Sequence, residues 1–203
     1  MILCFILDMK VLLLGHSYVR DLKNYCERNG CYYLKENGVE VELLFDSIPG
    51  ATYDTFLQLP LKFKEISYIK PDVVLTVLGG NDIKVNCDLA VVKNQCRSYF
   101  EQLRQSLPDE FLVTLEVESR YLHETNKHGT PEVKRYRIIS NYFNSWLKKQ
   151  RFKDWVVCIR GSGRLCNENL YKEDKVHLNE EGLEKLFDII KVALIDIGKS
   201  LNE

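Results

Sequence analysis

The stretch Lys10-Val11-Leu12-Leu13-Leu14-Gly15-His16-Ser17-Tyr18-Val19-Arg20-Asp21-Leu22 passes from an apolar run, through a glycine and a serine, into amphipathic sequence. Residues 10–14 predict a parallel strand that is buried on both faces. The apolar spacing after Ser17 predicts a helix that ends at Asn29-Gly30. A serine at such a turn lies at the carboxyl edge of a sheet, beside the positive end of a helix. Both a helix N-cap and a nucleophile fit this position.

The composition is that of one soluble globular domain over residues 1–203, with residues 1–8 as an N-terminal extension or an extra edge strand. The formal net charge of -1 argues against nucleic acid as a partner of this domain alone. Seven cysteines without a CxxC pair indicate reduced thiols in the cytoplasm and argue against a zinc ribbon. No apolar segment is long enough to form a transmembrane helix.

Apolar strands alternate with helical segments along the chain, which predicts a three-layer α/β/α sandwich with a five-stranded parallel sheet. The remaining strands are expected at Val39–Phe45, Val73–Leu78, Phe111–Val117 and Trp155–Ile159. Helices are expected at Cys31–Glu36, Tyr53–Tyr68 with a break at Pro60, Leu89–Leu107, Val133–Lys149 and from Asn179 to about Ile197. Residues 118–132 and 160–173 are expected to form long loops.

Residues suited to acyl transfer follow several of these strands and precede the last helix. Ser17 would act as the nucleophile, His177 as its base, and Asp174 would orient the imidazole from three residues away. The backbone N–H groups of Ser17 and Gly50 and the side-chain amide of Asn81 could form an oxyanion hole. Glycine at position 50 would let the backbone approach a substrate without a Cβ in the way.

These residues carry a resemblance to the SGNH, or GDSL-type, hydrolase superfamily. Gly15-His16-Ser17 resembles the serine block, Gly50 the glycine block, Gly79-Gly80-Asn81-Asp82 the GxND block, and Asp174-x-x-His177 the DxxH block. The four blocks occur in the right order and at the right strand ends. The resemblance implies a flavodoxin-like sheet and esterase, lipase, thioesterase or carbohydrate O-deacetylase activity, with no metal or other cofactor.

The serine block departs from the family pattern, which usually reads Gly-Asp-Ser where this chain has His16. In the family that aspartate commonly ties the serine loop to neighbouring backbone. His16 could instead form a hydrogen bond within the loop or face the substrate. Asp82, together with Arg120 and Tyr121 in the long loop, is a further candidate for lining the substrate site.

The function that this pattern favours is a serine esterase that cleaves a small acyl group, acetyl above all, from a small-molecule, carbohydrate or lipid ester. A weakly active domain that serves as a binding or assembly module is a second hypothesis. Similar compact SGNH domains occur in proteins of LINE-type retroelements and in invertebrate genes derived from mobile elements. A flavodoxin-like nucleotide or flavin binder is a third, and it lacks a phosphate-cradling loop after the first strand.

Overall fold

The computed structural model describes residues 7–117, 131–149, 156–159, 165 and 167–201. Six strands in the described chain form one sheet: β1 (Leu7–Gly15), β2 (Tyr33–Glu36), β3 (Val39–Ser47), β4 (Val73–Val77), β5 (Phe111–Leu115) and β6 (Val156–Ile159). The spatial order is β2-β3-β1-β4-β5-β6. All neighbouring strands are parallel except β2, which pairs antiparallel with β3. The α/β class with a mostly parallel sheet is therefore confirmed.

Helices cover both faces of this sheet. They are α1 (Ser17–Asn29), α2 (Tyr53–Leu57), α3 (Pro60–Ile69), α4 (Leu89–Ser106), α5 (Pro131–Lys149) and α6 (Glu180–Leu201), with a short 3-10 turn at Glu168–Leu170. None of the helices in the described ranges is long and apolar enough to cross a membrane.

Strand β1 lies in the middle of the sheet and contributes to both hydrophobic cores. Val11 and Leu13 pack in the core beneath α1 and α6, whereas Leu12 and Leu14 pack in the core beneath α2 to α5. All four side chains are at most 1% exposed. Because alternate residues of a strand point to opposite faces, a strand buried on both sides needs an unbroken apolar run. The prediction from residues 10–14 of a parallel strand buried on both faces is therefore confirmed.

The helix expected over Cys31–Glu36 is wrong, because Tyr33–Glu36 forms strand β2 of a hairpin. Asn37 and Gly38 connect the two strands and both have positive φ, at 52° and 79°. This two-residue turn matches the right-handed twist of the flanking strands and brings β2 back antiparallel to β3. The sheet therefore has six strands and mixed direction, instead of the five parallel strands that we expected.

Two further expectations concern the ends of elements. The break expected at Pro60 is confirmed, since α2 ends at Leu57 and α3 begins with this proline, which has no N–H to lose in a first turn. The suggestion of an extra edge strand within residues 1–8 is wrong for Leu7 and Asp8. These two residues belong to the central strand β1 and pair with β3. Residues 1–6 lie outside the described part of the chain.

The strand order places the residues that follow β1 at a topological switch point of the sheet. Strand β1 lies between β3 and β4, and the loops after all three strands open at the same edge of the sheet, where α/β proteins bind ligands. Backbone hydrogen bonds connect these loops. The N–H of His16 donates to the carbonyl oxygen of Val77 at 3.3 Å, and the N–H of Ile48 donates to the carbonyl oxygen of Gly15 at 3.0 Å. A Cβ on Gly15 would lie 2.3 Å from the Val77 carbonyl oxygen, so this approach requires glycine.

Candidate active site

Ser17 is the first residue of α1, and its position is set by the residue before it. His16 is the N-cap, with extended backbone, and its Nδ1 accepts a hydrogen bond from the N–H of Tyr18 at 3.3 Å. Both His16 and Ser17 are buried in the turn, at 3% and 7% exposed. The imidazole of His16 therefore caps α1, a role that a short polar side chain usually has. Of the two roles expected for His16, the structure shows the hydrogen bond within the loop.

The candidate base lies on a tight loop before α6 that Asp174 closes on itself. Its Oδ1 accepts from the N–H groups of Val176 and His177, each at 2.9 Å, while Oδ2 lies 2.6 Å from Nδ1 of His177. Lys175 adopts a positive φ of 53° so that the chain can turn back within three residues. This geometry explains why a carboxylate three positions before the histidine can hold its ring.

The loop brings the histidine to the serine across 160 positions of sequence. Nε2 of His177 lies 3.2 Å from Oγ of Ser17. An ionised carboxylate can only accept hydrogen bonds, so Asp174 selects the imidazole tautomer with its hydrogen on Nδ1. The lone pair on Nε2 then faces the serine hydroxyl. The structure thus brings together the three residues that the sequence suggested for nucleophilic catalysis.

The carboxyl group of Asp174 is held in its ionised form. Partial burial by itself raises its pKa, but hydrogen bonds from the ring of His177 and from the backbone N–H groups of His177 and Val176 outweigh burial. Together they lower the pKa of Asp174 to about 2. The negative charge is consequently present at every pH at which the protein would be assayed, and it stabilises a protonated imidazole beside it.

Sequence analysis missed the contact of Tyr18 with the loop that carries His177. Its hydroxyl donates a 2.7 Å hydrogen bond to the carbonyl oxygen of Val176, and its ring lies edge-on to His16 with 5.0 Å between centroids. Tyr18, which follows Ser17, is thereby hydrogen-bonded to Val176, which precedes His177. No local signal could reveal this contact, because the two residues are 158 positions apart.

Backbone contacts on both sides of His177 also hold the loop before α6 in place. The N–H of Lys172 donates to the carbonyl oxygen of His177 at 2.7 Å, and Tyr171 forms an isolated bridge with Leu178. Asn179 caps α6 as expected, since its Oδ1 accepts from the N–H of Gly182 at 3.0 Å. The imidazole is therefore carried by a loop with fixed backbone on both sides.

The two candidate oxyanion residues lie on the loops after β3 and β4. Nδ2 of Asn81 donates a 2.9 Å hydrogen bond to the carbonyl oxygen of Ala51, which ties its loop to the residue after Gly50. Gly50 is exposed and has a φ of +78°, a conformation that favours glycine. An added Cβ there would meet no atom within 4 Å, so the surface above this turn is open.

Asp82, Arg120 and Tyr121 were the other residues expected to line the substrate site. Asp82 is buried and its Oδ1 accepts from the N–H of Tyr53 at 3.0 Å, which fixes the start of α2. Arg120 and Tyr121 lie outside the described residues. Within the described ranges, there is no cluster of three or more His, Cys, Asp or Glu residues that could hold a metal ion.

A Ser–His–Asp arrangement at the carboxyl edge of such a sheet is typical of enzymes that transfer acyl groups through a serine. A sequence model described as GDSL-like lipase/acylhydrolase matches residues 25–190. The chain belongs to this family, and the protein is a hydrolase of ester substrates. The match includes Gly50, Asn81, Asp174 and His177 but begins after Ser17, so the place of the serine in the site comes from the geometry.

Solved structures share the fold at low sequence identity, and no curated protein sequence matches the chain. A family 3 carbohydrate esterase from Clostridium thermocellum is 18% identical, with 96% of this chain and 98% of that chain covered and a TM-score of 0.64. An acetyl xylan esterase, AlAXEase, is 17% identical, with coverages of 91% and 99% and a TM-score of 0.64. The lipase/acylhydrolase from Enterococcus faecalis is 16% identical, with coverages of 92% and 95% and a TM-score of 0.62.

Proposed function

We propose that the protein is a serine esterase that cleaves a carboxylic ester of a small acyl group through an acyl-enzyme on Ser17. The observation that carries this proposal is the 3.2 Å approach of Nε2 of His177 to Oγ of Ser17, with Asp174 bonded behind the ring. A serine hydroxyl is a weak nucleophile at its free pKa, and a hydrogen-bonded base is what activates it.

The reaction would run in two halves. Oγ of Ser17 attacks the ester carbonyl carbon while its proton passes to Nε2 of His177. The carbon–oxygen bond to the alcohol then breaks, and the imidazolium returns the proton to the departing alcohol oxygen. Water attacks the acyl-enzyme with His177 again taking a proton, the bond to Oγ breaks, and Oγ recovers that proton as the carboxylic acid leaves.

Negative charge on the carbonyl oxygen needs donors that are already in place. The N–H groups of Ser17 and Gly50 and the amide of Asn81 are the donors we propose. The hydrogen bond from Nδ2 of Asn81 to the carbonyl oxygen of Ala51 fixes this side chain next to the loop of Gly50. The N-terminus of α1 adds a favourable potential next to Ser17. The loss of one such donor typically costs about 2.7–4 kcal/mol of transition-state stabilisation.

Acetyl esters are the first substrates to test. Two of the similar structures are named as an acetyl xylan esterase and a carbohydrate esterase, which supports acetylated carbohydrate as a natural substrate class. The exposed turn at Gly50 also fits an open site that admits an acyl group on a large alcohol.

Hydrolysis of p-nitrophenyl acetate by the wild-type protein, Ser17→Ala and His177→Ala tests the proposal. We expect both substitutions to reduce kcat by at least about 10³-fold, as removal of a nucleophile or its base does in serine hydrolases. A fluorophosphonate probe should label the wild type and leave Ser17→Ala unlabelled. Ser67→Ala, which removes a serine hydroxyl from α3, is the matched control and should retain activity and labelling.

If the wild type hydrolyses no ester faster than Ser17→Ala, the enzyme proposal fails, and a binding or assembly module takes its place. Histidine at position 16, where the family usually has aspartate, is a sequence feature that favours such a module. Because His16 caps α1 and leaves Ser17 within reach of His177, that feature no longer argues for lost activity.

A further inference from the structure

Helix α1 ends in a turn that brings two cysteines together, and the proposed ester chemistry uses neither of them. Gly30 follows the helix in the left-handed conformation, with a φ of +65°. The N–H groups of Gly30 and Cys31 both donate to the carbonyl oxygen of Cys26, that of Cys31 at 3.2 Å. A left-handed glycine, with a hydrogen bond from the next residue back to the last turn of the helix, is the mark of a Schellman C-cap.

Cys26 and Cys31 occupy the two positions of this cap whose side chains commonly contact each other. The 3.2 Å hydrogen bond links the main chains of both residues directly, so their Cα atoms lie less than about 7 Å apart. Above about 7 Å two cysteines cannot be bridged without movement of the backbone. The cap therefore holds these two residues within range of a disulfide while both are free thiols.

The two thiols differ in how solvent reaches them. Cys26 is fully buried in the core beneath α1 and α6, whereas Cys31 is half-buried and packs against that core. Burial and a hydrogen bond with the thiol of Cys31 raise the pKa of the Cys26 thiol above its ordinary value. A reagent in solution therefore reacts with Cys31 first, and the Cys26 thiol is already in contact with the sulfur that has reacted.

We infer that Cys26 and Cys31 form a thiol-oxidation site, at which a low-molecular-weight disulfide of the glutathione class converts the two thiols into an intramolecular disulfide across the C-terminal cap of α1. The site lies at the opposite end of α1 from Ser17. The inference goes beyond the proposed function and does not depend on it.

The oxidation runs through two exchange steps. The thiolate of Cys31 attacks one sulfur of the small disulfide, the sulfur–sulfur bond of the reagent breaks, and one thiol molecule leaves. The sulfur of Cys26 then loses its proton to water and attacks the sulfur of Cys31, and the second thiol molecule leaves. The reagent gains two electrons and the two protons that the cysteines release, and the protein gains one disulfide.

Oxidised glutathione, added to the folded protein and quenched with acid, tests the inference by peptide mapping without reductant. Trypsin cleaves after Lys23, Arg28 and Lys35, so it separates the two cysteines into peptides 24–28 and 29–35. We expect these two peptides to be joined in the oxidised wild type, at a mass that is lower than their sum by two hydrogen atoms. The joined peptide should disappear when dithiothreitol is added.

The first step should be visible as a glutathione adduct on Cys31 that appears before the joined peptide. Because the Cys26 thiol must ionise before it attacks, the rate of the second step should rise about tenfold per pH unit while the pH stays below the pKa of Cys26. A time course at several pH values measures this rate.

Two serine variants separate the roles of the cysteines. Cys26→Ser should keep the glutathione adduct on Cys31, because no second thiol displaces it. Cys31→Ser should leave Cys26 unmodified, because that thiol is buried. Cys87→Ser removes another half-buried cysteine and is the matched control, which should form the joined peptide as the wild type does. Ser17→Ala should also form it, since the reaction does not use the candidate active site.

Urea unfolding shows whether the folded cap accommodates the disulfide. The oxidised wild type should unfold at a higher urea concentration than the reduced wild type, because a cross-link lowers the entropy of the unfolded chain. The same treatment should leave the midpoint of Cys31→Ser unchanged. A lower midpoint for the oxidised wild type would overturn the inference, because the cap would then have to distort to form the bond.

The mapping experiment has its own contrary results. A glutathione adduct on Cys31 that persists in the wild type as long as in Cys26→Ser would overturn the inference, and so would a joined peptide that forms only in urea. If Cys26→Ser does not fold, the wild type and Cys31→Ser still decide, because Cys31 lies at a half-buried position outside the helix.

Discussion

The hydroxyl of Tyr18 donates a 2.7 Å hydrogen bond to the carbonyl oxygen of Val176, so the neighbours of Ser17 and His177 are bonded to each other. The contact links the start of α1 to the loop before α6. It keeps two side chains at reacting distance although they come from opposite ends of the chain.

Tyr18→Phe removes this hydrogen bond and keeps the buried ring. We expect kcat/KM for p-nitrophenyl acetate to fall by up to about tenfold. A less restrained histidine loop would hold Nε2 of His177 within 3.2 Å of Oγ of Ser17 for a smaller fraction of the time. The free energy of unfolding should fall by about 1 kcal/mol, the net value of one such bond. Ester hydrolysis and urea unfolding measure the two effects.

Tyr99→Phe is the matched control for Tyr18→Phe. It also removes one buried tyrosine hydroxyl bond, that between Tyr99 and Thr76, in the core on the other face of the sheet. Its stability should fall by a similar amount while kcat/KM is retained. Equal losses of activity in both variants would show that Tyr18 acts through general stability alone.

His16→Ala and His16→Asp test the cap of α1. Alanine cannot accept the N–H of Tyr18, so we expect a loss of about 1 kcal/mol in unfolding free energy and a lower kcat. Aspartate, the residue usual in the family, is a good N-cap and should restore both quantities. Urea unfolding and hydrolysis of p-nitrophenyl acetate check this prediction. If His16→Asp restores neither the unfolding free energy nor kcat, or only one of them, the capping role is contradicted.

Gly50→Ala tests the proposed oxyanion donor. A Cβ at this position meets no atom, but a φ of +78° strains any residue with a side chain, and alanine should shift the peptide N–H. We expect kcat to fall about tenfold, which is less than the roughly 10²–10³-fold loss that complete removal of an oxyanion donor causes.

Gly30→Ala is matched to Gly50→Ala, because Gly30 also has a positive φ, at +65°, and open space around it, but lies at the end of α1. Both variants should lose about 1–2 kcal/mol of stability from backbone strain. Only Gly50→Ala should lose activity. If kcat is the same for the two variants, Gly50 is not a donor in the transition state.

Asp82→Asn should change how stability depends on pH. The pKa of Asp82 is about 6 in the folded protein and about 3.9 in an unfolded chain, so the folded state holds this proton more tightly. The stability that results is fully present below about pH 4 and is lost as pH rises through about 6. Urea unfolding at intervals from pH 4 to 7 should show this decline in the wild type and a shallower one in Asp82→Asn. Parallel curves for the two proteins would contradict the burial of an ionisable group here.

Sequence alone determined the features that depend on near neighbours or on a simple burial pattern. The apolar run at 10–14 predicted a parallel strand buried on both faces, Pro60 a helix break, and Asp174 the orientation of a histidine only three residues away. Strand β2, which was misassigned as a helix, did carry a local signal in Asn37-Gly38. It was missed because four residues of strand and one turn of helix have similar composition, and the antiparallel partner decides between them.

Tertiary structure alone decided the contacts that cross the sheet edge. The approach of Ser17 to His177 spans 160 positions and depends on the strand order, which places β1 between β3 and β4. The hydrogen bond from Tyr18 to Val176 has no counterpart in the local sequence pattern. Residue spacing encodes secondary structure because it acts over a few positions, whereas a site built from separate loops exists only after the core has packed and brought those loops together.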